Sequence, residues 1–237
     1  MRAILFIHGL SAKKEDNEYF IDKMKKSSNI DIYTFTLPGH EEDKMTKVKY
    51  QDWIDASEKE LNEILKTYKK VTIVAHSMGT IIAVHLASKY KQIEKLVLIS
   101  PAFIFGSFKQ NTKDLGRILK REVDEELGTG FEGSLTKFFH IPKSVMMEYL
   151  KMASKNKVNI SKVSCPTLIL HGLEDNVIPV KSSEFVYQNL TCKKDLVLIR
   201  NVRHQVFKSK KKDIITNYIY RFICLKMLYM VTRKKII

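Results

Sequence analysis

Cysteine is scarce in this chain. Its 237 residues hold three, Cys165, Cys192 and Cys224, an odd number at wide sequence spacing. That excludes a dense disulfide framework and a CxxC metal site. Glycine and proline number only nine and five, so a collagen-like chain is excluded. No segment repeats at a period of roughly 20–50 residues, which excludes a solenoid. Long apolar runs are missing too. The opening MRAILFIHGL soon gives way to charged residues and has no small-residue cleavage site, so a reducing cytoplasm is the expected location. The apolar tail at 214–231 is broken by Arg221 and Lys226. Those charges argue against a transmembrane span. A docked last helix is the main reading, and a membrane-surface helix the minor one.

Negative charge is also in short supply. Twenty-six Asp and Glu face 41 Lys and Arg, for a formal net charge of +15. Such a surplus raises nucleic acid or an anionic membrane as a partner. The lysines are scattered, however, with short runs only at 208–212 (KSKKK) and 233–235. Zinc-finger spacing, an aromatic RNA-binding signature and a basic region with heptads are all absent. The charge therefore reads as a lysine-rich surface, and no nucleic acid partner is expected. Weak association with an anionic membrane surface stays open, and the oligomeric state is not legible.

What the chain does have is an ordinary soluble composition, 44 % hydrophobic and 28 % charged, and enough length for one substantial core. Six short apolar runs read as buried strands: AILFIH at 3–8, IDIYTF at 30–35, VTIVAH at 71–76, KLVLIS at 95–100, TLILHG at 167–172 and DLVLIR at 195–200. Most are apolar on both faces, as central strands of a parallel sheet are. Amphipathic stretches at 15–26, 50–69, 78–91, 180–190 and 210–229 alternate with them. The alternation predicts an α/β fold: a mostly parallel sheet of about six strands flanked by helices.

The rhythm breaks between 101 and 162. No strand pattern appears there, but helical pieces do, at 111–127, 133–140 and 143–155, along with many large apolar residues. We expect residues 1–100 and 163–237 to form the α/β core and 101–162 an inserted helical cap. Most of its apolar side chains would pack the cap onto the sheet. A few, with Phe103, Phe105, Phe108 and Met146 as candidates, would line a pocket for a ligand.

Five motifs carry chemistry. VTIVAHSMGT at 71–80 runs a strand into A-H-S-M-G and then a helix. This departs from the nucleophile elbow G-x-S-x-G only in Ala75, and the strand-turn-helix context is the one the elbow requires. The others are F-I-H-G-L at 6–10, T-L-P-G-H at 36–40, L-H-G-L-E-D-N-V-I-P at 170–179 and N-V-R-H-Q-V-F at 201–207.

Together these motifs, in this order, resemble the α/β-hydrolase superfamily over nearly the whole chain. Within it they resemble small bacterial carboxylesterases and monoacylglycerol-lipase-like enzymes. The resemblance implies Ser77 as nucleophile, Asp175 as the orienting acid with Glu174 its competitor, and His204 as base. Arg203 departs from the small residue common before that histidine. The resemblance further implies an oxyanion hole from the backbone N–H groups of Leu10 and Met78. His8, His40 and His171 read as turn residues, and His76, beside the serine, as a pocket wall. The implied reaction is hydrolysis of esters of short to medium acyl chains or monoacylglycerols through an acyl-enzyme. No metal or other cofactor is expected. The same triad also serves lysophospholipases and acyl-thioesterases. The reading from another class is a non-catalytic ligand-binding protein of the same fold.

Overall fold

Val71–His76 is buried at every position, and its two flanking strands explain why. The computed structural model describes residues 1–12, 17–26, 29–41, 45–104, 141–224 and 233–237. Seven strands form one sheet: β1 (Arg2–Ile7), β2 (Ile30–Thr34), β3 (Val71–His76), β4 (Ile93–Ile99), β5 (Thr167–Gly172), β6 (Lys194–Ile199) and β7 (Arg233–Ile236). Their order is β2-β1-β3-β4-β5-β6-β7, and every pairing is parallel. β3 lies between β1 and β4, with Ala75 paired to Ile7 and to Leu98. All strands point the same way, so the loops that follow them gather along one edge.

The helices among the described residues are α1 (Glu18–Lys25), α2 (Tyr50–Leu65), α3 (Gly79–Lys89), α4 (Lys143–Asn156), α5 (Val180–Asn189) and α6 (Lys212–Cys224). Successive strand residues point to opposite faces, and this divides the core in two. Ile4, Phe6, Val74, Val97, Leu170 and Val197 pack on α1 and α6 through Phe20, Met24, Ile215 and Ile219. Leu5, Ile73, Leu96, Ile169 and Leu196 face α2 to α5 through Trp53, Ile81, Met152 and Val186. α3 is apolar on nearly all sides because it lies under α2 and α4. No helix among the described residues is long and apolar enough to cross a membrane.

The expected last helix is present as α6, described to Cys224; the rest of that stretch, 225–229, lies outside the described residues. Lys95 Nζ donates to the carbonyls of Phe222 and Ile223 at 2.8 and 2.7 Å. Arg233–Ile236 then adds a seventh strand beside β6. Of the region expected as a cap, residues 101–104 and 141–162 are described. The expected helical pieces at 111–127 and 133–140, and with them Phe105 and Phe108, lie outside the described residues. α4 packs on α2 and α3 within the main core. Its Tyr149 hydroxyl donates to the Ala102 carbonyl at 2.7 Å, anchoring the chain where it leaves β4.

Candidate active site

β3 ends at His76, and the next residue turns sharply. Ser77 has φ +52, a left-handed conformation that costs a side-chain-bearing residue energy. The surroundings hold it there. The Ser77 N–H donates to the Ile99 carbonyl at 2.9 Å, and Thr80 Oγ1 donates to the Ser77 carbonyl at 2.6 Å. The glycines beside the turn are needed for space. A Cβ on Gly79 would sit 2.5 Å from the Ile7 carbonyl oxygen, and one on Gly9 would sit 2.9 Å from Ser77 Cβ. Ala75 causes no conflict, since its methyl is absorbed in the core between β1 and β4. The sequence thus places a nearly buried hydroxyl where β3 stops and α3 starts.

Leu10 and Met78 flank this turn, both buried. The Gly9–Leu10 turn is set by His8. The Leu37 N–H donates to His8 Nε2 at 2.9 Å, so Nδ1 carries the proton and donates to the Gly9 carbonyl at 2.8 Å. His40 packs edge-on against His8, and burial pushes its pKa down. Both histidines are held inside turns.

Asp175 and His204 come from the loops that follow β5 and β6. At the end of β5, Gly172 packs so closely on the histidine loop that a Cβ would lie 2.1 Å from the Val202 carbonyl oxygen. His204 Nδ1 donates to Asp175 Oδ2 at 2.8 Å. Asp175 Oδ1 accepts the N–H groups of Val177 and Ile178 at 2.9 Å each. Burial alone would raise the pKa of this carboxyl. The charge and hydrogen bond of His204, the His171 ring and the Ile178 N–H outweigh it, and hold the carboxyl well below its usual range. His171 lies beneath, bonded to Ser183 Oγ at 2.6 Å and donating from Nε2 to the Ile178 carbonyl at 3.0 Å. Burial pushes the pKa of His171 down despite the nearby Asp175.

Glu174 has a separate place. Its carboxylate accepts the Asn201 N–H at 2.9 Å, and its own N–H donates to the Val202 carbonyl at 3.1 Å. It braces the backbone of the histidine loop, whereas Asp175 meets the ring. Because Nδ1 of His204 faces the acid, Nε2 is left as the basic nitrogen.

The remaining candidates fall differently. His76 is buried with its ring against His204, centroids 4.7 Å apart. Phe103 is buried in the main core, and Met146 is half-buried beside it. Glu174 and Thr80 are the residues that sequence reasoning passed over as supports. Thr80 carried a faint signal, being three residues past the serine at the start of a helix. Among the described residues, no group of three or more His, Cys, Asp or Glu side chains could hold a metal ion.

Residues 2–129 match the family described as alpha/beta hydrolase fold. Residues 134–211 match the family described as serine aminopeptidase, S33. The chain is similar to a thermostable monoacylglycerol lipase of Bacillus sp. (strain H-257), 22 % identical over 211 residues, covering 85 % of this chain and 82 % of that protein. Its fold is similar to that of the metagenome-derived lipolytic enzymes LipS and LipT, with a TM-score of 0.75 and 17 % identity over 93 % of this chain and 92 % of the other. It is also similar to the monoacylglycerol lipase of Paleococcus ferrophilus, with a TM-score of 0.73 and 16 % identity over 93 % of both chains.

Proposed function

This chain belongs to the alpha/beta hydrolase fold family, and we propose that it hydrolyses carboxylic esters with Ser77 as nucleophile, His204 as base and Asp175 as the acid that orients it. The chain is a monoacylglycerol-lipase-like carboxylic ester hydrolase. One observation carries the assignment of roles. The His204–Asp175 pair, 2.8 Å apart, stands at the same sheet edge as a serine held at positive φ.

His204 Nε2 takes the hydroxyl proton as Ser77 Oγ attacks the acyl carbonyl. The backbone N–H groups of Leu10 and Met78 receive the charge that develops on the carbonyl oxygen, each contributing on the order of 10²–10³ in rate. His204 then protonates the leaving alcohol. Water, activated by the same nitrogen, releases the acid from the acyl-enzyme. Asp175 holds the imidazole in the reactive tautomer and stabilises its charged form.

The substrates are esters of short to medium acyl chains or monoacylglycerols. The insertion at 101–162 acts as a cap that shapes the acyl pocket. The net charge of +15 supports weak association with an anionic membrane surface, and with it lysophospholipid esters as a second substrate class of the same site. A panel of p-nitrophenyl esters of rising chain length, with a monoacylglycerol added, tests this reading. The wild type should turn over part of the panel, and Ser77→Ala should lose about 10⁴-fold or more in kcat. A folded wild type inert towards every ester would refute ester hydrolysis.

A further inference from the structure

His76 is not used by the reaction just described, yet it touches both halves of the site. Its backbone adjoins Ser77. Its side chain reaches across to the loop that carries the base, 128 residues further along the chain. A carbonyl oxygen can only accept, so His76 Nε2 carries a proton and donates it to the His204 carbonyl at 3.0 Å. The two rings lie 4.7 Å apart, tilted by 40°. The residue is 3 % exposed, so the bond is shielded from water and its geometry is stiff.

The same carbonyl also accepts the Val206 N–H at 3.0 Å. Removing the His76 donor would therefore not orphan it. What would be lost is a tether. The loop 200–205 is held on its far side by the acid loop, through Glu174 to Asn201 and Val202 and through Asp175 to the ring. Those bonds fix His204 relative to Asp175. They do not fix it relative to Ser77, which stands on a different strand. His76 supplies that second constraint, and an apolar ring of the same size would fill the space without supplying it.

We propose that His76 is a positioning residue: its bond to the His204 carbonyl sets the distance between the nucleophile's turn and the base. The proposal rests on the reading of Ser77 and His204 given above. An error of about 1 Å in such a placement can cost on the order of 10²-fold in rate.

The test compares wild type, His76→Phe and His76→Gln. Phenylalanine keeps a ring and removes the donor. Glutamine places an amide N–H near the position of the imidazole Nε2–H. The readouts are kcat and KM on one ester, the rate of Ser77 phosphonylation by a fluorophosphonate, and the melting temperature. His76→Phe is expected to lower kcat and phosphonylation about 10- to 100-fold, with KM changed less than about three-fold. His76→Gln is expected to recover most of both rates. A folded His76→Phe that keeps kcat within about two-fold overturns the proposal, and so does a His76→Gln as slow as His76→Phe. If His76→Phe does not fold, His76→Asn replaces it, since its amide is too short to reach the carbonyl; the same loss is expected and the same retention overturns. A wild type that neither hydrolyses ester nor takes the probe refutes the underlying reading before any variant is compared.

Discussion

His204 donates its Nδ1–H to Asp175 Oδ2 at 2.8 Å, while Asp175 Oδ1 accepts two backbone N–H groups at 2.9 Å. The carboxylate is thus fixed by its own loop before it meets the imidazole. Asp175→Asn keeps the shape and the Oδ1 acceptor but presents an amide N–H₂ to Nδ1. That favours the wrong tautomer of His204, and kcat should fall by about 10⁴-fold. Glu174→Gln retains an acceptor for Asn201 and should cost less than about ten-fold, since it acts on the loop backbone only. Steady-state kinetics on both variants separates the neighbouring acids.

Acid should destabilise the protein in two stages. His171 and His40 have pKa values pushed below the ordinary 6.5 by burial. Asp175 is pushed below the ordinary 3.8, because His204 and His171 outweigh its burial. In each case the folded value lies below the unfolded one. Between the two, the unfolded chain holds more protons, so stability falls as pH falls. The melting temperature should drop as the pH is lowered from 7 towards 5, and drop again below about 4. A flat melting temperature between pH 7 and 5 would contradict the buried, neutral state of the two histidines.

Gly172 has no room for a side chain, with Val202 O 2.1 Å from the position of a Cβ. The obstacle is backbone, which cannot rotate away. Gly172→Ala should cost about 2 kcal/mol or more in unfolding free energy. It should also reduce kcat, since the same contact seats the histidine loop against the acid loop. Denaturant unfolding and ester turnover on this variant check both effects.

Far from the site, Lys95 donates to two carbonyls at the end of α6. Lys95→Met keeps the aliphatic stem and leaves those carbonyls without this partner. The expected loss is about 1–2 kcal/mol of stability, with ester turnover unchanged. Urea unfolding measured beside kcat distinguishes this from any effect on the site.

Most of the strands are legible because both their faces are covered, and their apolar runs show it; β2, at the sheet edge, has only Ile30 buried. β3 is buried throughout, so VTIVAH has no polar face to confuse the pattern. β7 could not be read in the same way. Arg233–Ile236 is RKKI, with Lys234 and Lys235 exposed, and it becomes a strand only by pairing with β6. The juxtaposition of Asp175 and His204 was legible from motif and chain order. The part of Glu174 was not: its bond to the Asn201 N–H depends on a backbone group in the loop after β6, 27 residues along the chain. The place of His76 beside Ser77 is legible in the sequence, but its bond to a carbonyl 128 residues away is not. Phe103 is apolar like a pocket residue, and the sequence does not show that it is buried within the main core cluster.

Ser77 is the residue on which the proposed ester hydrolysis turns. The most direct measurement treats the folded protein with a fluorophosphonate probe and maps the adduct by peptide mass spectrometry. We expect a single adduct on the peptide containing Ser77, absent in Ser77→Ala and slowed in Asp175→Asn. An ester-hydrolysing protein whose adduct maps to another residue, or whose Ser77→Ala variant keeps its activity, would contradict the account.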